Sequence, residues 1–176
     1  MLELAGKADD ITTSRPDSPT KARTMTTPTG PRLHPTGRLI PAELDEAMVA
    51  AVVQDFYAKA RADEIIGPVF NRVIPEAQWP HHIATITDFW SSMLLGSGRY
   101  MGRPMPKHLA IPELTDAHFA RWLKLFRDTA ESHCPEDVAA LFVDRAQRIA
   151  YNFRMRIAQF RGQEPQAVRP QRAGDE

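Results

Sequence analysis

The stretch from residue 100 to residue 112 constrains the fold of this chain more than any other. Pro104, Pro106 and Pro112 each lack a backbone donor and restrict the residue before them, so we predict an irregular loop rather than a regular helix. The loop lies between two strongly helical segments and carries one histidine, His108. A rigid loop that presents a single imidazole to a helical core suits a one-point metal ligand, although a lone loop histidine also fits a solvent-exposed side chain.

Length and charge exclude several classes of function. The chain has 176 residues, which suits one domain with a hydrophobic core. Lys and Arg together number 22, as do Asp and Glu, and this balance argues against a nucleic-acid partner. The single cysteine, Cys134, excludes an intrachain disulfide and fits a reducing compartment, so we expect a cytoplasmic protein. No apolar run is long enough to cross a bilayer, and we expect no membrane partner.

Both ends of the chain have the composition of polar tails. Residues 1–38 lack periodicity and large apolar runs, so they cannot bury enough surface to offset their ordering entropy. We expect them to be disordered and dispensable for folding, and they contain no hydrophobic block of the kind a secretory signal needs. Residues 163–176 form a second polar tail, which leaves a domain of residues 39–162.

Helical periodicity runs through most of this domain, without a strand pattern, an internal repeat or a nucleotide-binding glycine motif. We therefore predict an all-α fold. The expected elements are a helix from near Pro41 to about Arg61, a short apolar turn or helix over residues 69–74, a helix from Trp79 to Gly96, a helix capped by Thr115 that ends near Ser132, and a helix from Pro135 to Gly162.

The helix that begins at Trp79 carries the most informative pattern. His82, Ile86 and Phe89 follow one another at helical spacing, so the imidazole faces the same side as the apolar residues. His81 is rotated from this line by about 100° and is expected in solvent. From this pattern alone, His82 could equally be a histidine near a helix start that is partly exposed to solvent rather than one that faces the interior.

Two aromatic residues with polar atoms fall on the buried faces of other helices. Tyr57 lies on the first long helix and Trp122 on the third, and a buried phenol or indole usually needs a hydrogen-bond partner. Both can donate, the first through O–H and the second through N–H. From periodicity alone, both are interpreted as ordinary core aromatics.

Several motifs together resemble the third group of truncated haemoglobins, across roughly residues 41–162. The resemblance implies a truncated globin-like, two-over-two helical sandwich around a haem. The motifs are Phe56-Tyr57, Trp79-x-x-His82, Asp88-Phe-Trp90, Leu94-Leu-Gly-x-Gly-x-Tyr100-x-Gly-x-Pro104, Lys107-His108-Leu and Phe119-x-x-Trp122-Leu-x-Leu-Phe126.

The resemblance implies heme b (iron protoporphyrin IX) as the cofactor and assigns a role to six residues. His108 corresponds to the proximal iron ligand, Tyr57 to the distal tyrosine, and His82 and Trp122 to distal-side residues. Ile86 and Phe89 correspond to apolar positions along the haem face. Close to the loop, four residues are within possible reach of the haem propionates, namely Arg99, Tyr100, Arg103 and Lys107.

Three functions remain open from the sequence. The first is binding of dioxygen, and of other small diatomic ligands, at a five-coordinate iron with a polar distal pocket. The second is a haem-dependent redox enzyme, either a nitric-oxide dioxygenase or a peroxidase-like enzyme, that works with an unidentified reductase. The third is a haem-free helical interaction domain. Fold resemblance by itself does not choose between binding and turnover.

Overall fold

The computed structural model describes residues 32–164 and residue 170. This part of the chain is mainly helical, with a single short pair of strands, so the predicted all-α fold is confirmed. No helix in it is long and apolar enough to cross a membrane. The elements are β1 (Arg32–Leu33), β2 (Leu39–Ile40), α1 (Glu46–Ala62), α2 (Gly67–Val73), a 3-10 turn (Glu76–Gln78), α3 (Trp79–Leu95), α4 (Met105–Leu109), α5 (Asp116–His133) and α6 (Glu136–Phe160).

The four long helices form two packed pairs, as the two-over-two prediction requires. Helix α1 packs on α3 and α5, and α5 packs on α6, while the short α4 contacts α6. Aromatic rings fill the centre: Phe126 stacks on Trp90 with 4.8 Å between ring centroids, and Phe56 meets Phe126 edge to face at 5.1 Å. These side chains are almost wholly buried, so their apolar area is the main source of stability in the core.

Helix α1 begins later than predicted. Its first residue is Glu46, and the side chain of Asp45 caps it by accepting a 2.8 Å hydrogen bond from the Met48 N–H. Pro41 lies in a separate turn, where its carbonyl accepts from Leu44 N–H. The prediction was wrong here because an aspartate cap satisfies a free N–H that a proline start leaves unpaired.

The predicted irregular loop of residues 100–112 also needs correction, because its centre is helix α4. Pro104 is the N-cap residue and Pro106 falls in the first turn of this helix. The first-turn N–H groups of a helix have no internal partner, so a proline there removes nothing and its fixed φ favours helix initiation. The prolines therefore start a short helix that carries His108.

A two-residue antiparallel ladder, which the sequence did not indicate, joins β1 and β2. It includes part of the predicted tail: residues 1–31 lie outside the described residues, whereas residues 32–38 form most of this hairpin. Arg38 donates a 2.8 Å hydrogen bond to the Leu94 carbonyl at the end of α3. A Cβ atom on Gly96 would collide with the Pro35 ring, so the hairpin packs closely on this helix end. We propose that the domain begins near residue 32 rather than residue 39.

We expect a chain that begins at residue 39 to be less stable than one that begins at residue 32. The shorter chain loses the hydrogen bonds from Arg32 to the Pro41 and Leu44 carbonyls and from Arg38 to Leu94. Losing hydrogen bonds of this kind lowers the free energy of unfolding by about 1–3 kcal/mol, which lowers the thermal midpoint by several degrees. Thermal unfolding of the two chains measures this difference. Equal midpoints would restore the predicted boundary at residue 39.

The buried carboxylate of Asp63 ties the corner between α1 and α2 to α5. Its Oδ1 accepts 3.0 Å hydrogen bonds from the N–H groups of Ile65 and Ile66, and its Oδ2 accepts 2.7 Å bonds from Arg121. Burial opposes the ionisation of Asp63, but the Ile66 N–H, the Arg121 guanidinium and the Ile65 N–H outweigh it and lower its pKa. Its stabilising effect is therefore present above the pKa of the unfolded chain and is lost as the pH falls.

We expect Asp63→Asn to lower the free energy of unfolding by roughly 1–3 kcal/mol at pH 7, because a buried carboxylate loses its charge-assisted hydrogen bonds. The difference from wild type should shrink as the pH falls below about 4, where the unfolded carboxyl binds its proton. Denaturant titrations at several pH values test this. Glu64→Gln, at an exposed neighbouring position, is the control. If the difference in unfolding free energy between wild type and Asp63→Asn did not change with pH, the ionised form of Asp63 would not be the source of the stabilisation.

Cys134 ends α5 as its C-cap residue and is half-buried. Burial raises the pKa of its thiol to about 11. A reactive cysteine needs a lowered pKa and an exposed thiolate, so this environment favours a structural role.

Candidate functional site

One cavity of about 380 Å³ lies between α3, α4, α5 and α6, and α1 and α2 contribute to its wall. Its volume falls in the range of small-molecule and cofactor sites. The six residues that the sequence selected all line it, although they come from four different helices. They are Tyr57, His82, Ile86, Phe89, His108 and Trp122.

His108 is held at the cavity by two contacts. Its Nδ1 lies 2.9 Å from the Pro104 carbonyl oxygen, which can only accept, so Nδ1 carries the proton and donates. Its ring stacks on Phe153 of α6 with 4.3 Å between centroids and 17° between planes. The first contact leaves the Nε2 lone pair available, and the second restricts rotation of the ring. This is the arrangement that orients histidine ligands of metals.

The environment of His108 also favours the neutral ring. Burial lowers its pKa and the nearby charge of Lys107 acts in the same direction, whereas the hydrogen bond to Pro104 acts against them. Only a neutral imidazole has a lone pair to coordinate a metal ion. The chain therefore keeps this side chain in the form that a ligand role requires.

Sequence reasoning missed the part that Phe153 plays. The periodicity of α6 marks Phe153 as a buried-face residue, but nothing in the pattern pairs it with a histidine 45 positions earlier. Helix α4 packs on α6, and this contact brings the two rings together. The sequence does mark Phe153 as an aromatic residue on the buried face of the last helix. Nothing distinguishes it there from the other core residues of that helix.

Tyr57 and Trp122 enclose another part of the cavity and meet through Phe56. The Phe56 ring is edge-on to Tyr57 at 4.9 Å and to Trp122 at 5.7 Å. Tyr57 is 7% exposed, and burial raises the pKa of its phenol. The phenol therefore keeps its proton and can donate a hydrogen bond. The Trp122 ring is fixed by stacking on Phe126 at 5.3 Å.

His82 lies between two aromatic rings near the start of α3. It is edge-on to Tyr57 at 5.6 Å and to Trp79 at 5.5 Å. Its Nε2 is buried and has no hydrogen-bond partner among the described residues. Burial lowers the pKa of His82, and the charges of His108, Lys107 and His81 lower it further. A neutral, unpaired imidazole nitrogen therefore faces the interior.

Most of the remaining lining is apolar, which suits a flat, largely hydrophobic cofactor. Among the described residues, no group of three or more His, Cys, Asp or Glu side chains could hold a bare metal ion. One imidazole with a fixed ring and a free Nε2, a mostly apolar lining and the unpaired buried nitrogen of His82 together fit a haem. The apolar lining beyond the six includes Ile66, Val69, Phe70, Val73, Ile74, Trp90, Ile111, Leu114, Phe119, Ile149, Ala150 and Phe153.

The four polar residues proposed for the propionates separate into two groups. Tyr100 and Lys107 line the cavity. Arg99 instead pairs with Glu46 and with Asp88, each at 2.7 Å. Arg103 is exposed and does not belong to the cavity lining. The structure therefore favours Tyr100 and Lys107 for a contact with a group inside the cavity.

Comparisons with known proteins identify the family. The sequence profile described as bacterial-like globin matches residues 44–153. The group 3 truncated hemoglobin ctb of Campylobacter jejuni is 36% identical over 121 residues, which cover 68% of this chain and 95% of that protein. The crystal structure of the group III truncated hemoglobin from Campylobacter jejuni matches with a TM-score of 0.62 at 35% identity, over 67% of this chain and 94% of the other.

The chain belongs to the bacterial-like globin family. Its resemblance to group III truncated haemoglobins is confirmed, and so is the truncated-globin fold. Membership of this family implies a haem cofactor. The residues that match the family profile, 44–153, include both the α3 and the α4–α5 walls of the cavity.

Proposed function

We propose that the protein holds heme b in this cavity and binds dioxygen reversibly at a five-coordinate iron, with His108 as the proximal ligand. One observation carries the proposal: His108 donates from Nδ1 to the Pro104 carbonyl and has Nε2 free, in a cavity that two hydrogen-bond donors, the buried Tyr57 and the partly buried Trp122, also line. Family membership supports the cofactor, and the donors favour a ligand that gains negative charge.

When bound, haem iron supplies reversible coordination of a diatomic ligand. The chain supplies the rest. His108 would hold the iron through its neutral imidazole, whose ring the Phe153 stack and the Pro104 carbonyl keep in one orientation. Ile86 and Phe89 give the cavity an apolar wall that excludes water. A dry surrounding strengthens every hydrogen bond made inside it.

Tyr57 and Trp122 are proposed as the donors to the diatomic ligand. Both line the cavity, and neither side chain makes a hydrogen bond within the described residues that would use up its proton. A partly charged acceptor gains more from a donor than a neutral one does. The pair therefore favours dioxygen over a less polar ligand such as carbon monoxide.

Lys107 is proposed to pair with a haem propionate, with Tyr100 as a second partner. Lys107 is exposed yet borders the cavity, which is where an anionic edge of a mostly buried cofactor would meet solvent. An exposed ion pair of this kind contributes on the order of 1 kcal/mol or less, so Lys107→Gln should weaken haem retention only slightly.

Haem supplementation of the purified protein tests the cofactor. We expect stoichiometric uptake with a Soret band, and a pyridine haemochrome spectrum of the b type. A protein that folds but gains no such band would favour the haem-free interaction domain instead.

A redox enzyme is the second candidate, and the buried Nε2 of His82 is the observation that favours it. An unpaired neutral imidazole in the cavity can accept and return a proton during peroxide or nitric-oxide chemistry. Turnover with either substrate and a supplied reductant, compared between wild type and His82→Leu, separates the two functions. Turnover that depends strongly on His82 would support the enzyme.

A further inference from the structure

Three side chains connect the protein surface to His82. Trp79, the first residue of α3, is 4% exposed and lies edge-on to the His82 ring, with 86° between their planes. The guanidinium carbon of Arg61, near the end of α1, lies 4.5 Å from the Trp79 ring centroid. Arg61 also forms an ion pair with the exposed Glu76 of the 3-10 turn. A change at Arg61 can therefore reach His82 through Trp79.

The Trp79 ring depends on these contacts for its orientation. Its Nε1 is buried and has no hydrogen-bond partner among the described residues. The ring is instead held by tilted contacts with Tyr57 at 6.1 Å and Phe70 at 6.4 Å, and by the cation above it. Without a hydrogen bond to fix the indole, the cation–π contact carries more of its positioning.

His82 in turn occupies an orientation that needs support. Its buried Nε2 makes no hydrogen bond to the described residues, so no hydrogen bond from this nitrogen to the protein fixes the ring. The ring is instead oriented by its edge-to-face contacts with Tyr57 and Trp79. Gln78 and His81 border the cavity at the same end of α3 and are exposed, so the cavity reaches the surface next to His82.

We propose that Arg61 and Trp79 are positioning residues that hold His82 inside the cavity and thereby slow the access of small ligands to it. The proposal rests on the proposed function, because it concerns the same cavity with haem bound. Neither residue needs to touch the ligand. Weakening the contact between Arg61 and Trp79 releases the His82 ring toward solvent and opens the path that it obstructs.

The test is the bimolecular association rate of carbon monoxide with the ferrous, haem-loaded protein after flash photolysis. We expect Arg61→Gln to raise this rate about two- to fivefold, the effect of losing one partly exposed cation–π contact. Trp79→Leu should raise it about tenfold, and Trp79→Phe, which keeps an aromatic ring, should raise it less. Arg72→Gln is the matched control, because Arg72 pairs with Glu113 and lies outside the cavity lining. It should leave the rate unchanged.

A double-variant cycle separates positioning from general loosening of the fold. In a His82→Leu background the obstructing ring is absent, so Arg61→Gln should no longer change the rate. The infrared C–O stretch should likewise respond to Arg61→Gln only when His82 is present. Equal rate increases with and without His82, or no increase in any variant, would overturn the proposal. A wild-type protein that takes up no haem would instead contradict the proposed function itself.

Discussion

His108→Gly is expected to abolish stable haem binding, with partial recovery when imidazole is added. Among the described residues, the variant removes the only side chain that both lines the cavity and has its orientation fixed by a backbone carbonyl and a stacked ring. Added imidazole can occupy the vacated volume and supply the missing lone pair. Haem retention on a desalting column, with and without imidazole, measures both effects.

The control is His133→Gln, because His133 is on the far end of α5 and pairs with Asp55 on the surface. It should retain haem as wild type does. A His108→Gly protein that keeps the wild-type ferrous spectrum without imidazole would show that another residue ligates the iron. His82 would then be the first candidate, because its Nε2 is also unpaired.

Tyr57→Phe and Trp122→Phe are each expected to speed oxygen release by roughly three- to thirtyfold. Each variant removes one donor from a mostly apolar cavity, and a hydrogen bond to a partly charged acceptor contributes on the order of 1 kcal/mol or more. The energy acts in the bound state, so the dissociation rate changes more than the association rate. Carbon monoxide release should change less, because that ligand carries less charge. Stopped-flow displacement measures both off-rates.

The two donors should not act independently. They share one small ligand, so the double variant is expected to release oxygen more slowly than the product of the two single effects predicts. Tyr151→Phe is the matched tyrosine control, because Tyr151 does not line the cavity. Unchanged oxygen release in both single variants would reduce Tyr57 and Trp122 to wall residues and leave His82 as the donor.

Helix boundaries were predictable where capping chemistry is local. Gly96 ends α3 with a φ of 74°, and Thr115 is the N-cap of α5, as expected from their residue types. The start of α1 was misplaced because two plausible start signals, Pro41 and Asp45, compete within five residues. In the same way, α4 was missed because the prolines were interpreted as helix breakers, although prolines near a helix start promote it.

Contacts between distant segments could not be derived from the pattern. The convergence of His82 and Trp122 on one cavity was expected only through the family resemblance, because helical spacing assigns faces and not partners. The stack of Phe153 on His108 and the cation of Arg61 over Trp79 join residues that are 45 and 18 positions apart. Each depends on how whole helices pack, and no local signal in the sequence reports it.

An oxygen titration of the ferrous, haem-loaded wild-type protein tests the central claim most directly. The deoxygenated sample should show the single broad visible band of a five-coordinate, high-spin iron. As oxygen is added, this spectrum should change to the two-banded spectrum of the oxygenated protein, and it should revert to the single band when oxygen is removed. A six-coordinate, low-spin spectrum before oxygen is added, or direct oxidation to the ferric form with no reversible oxygenated species, would contradict it.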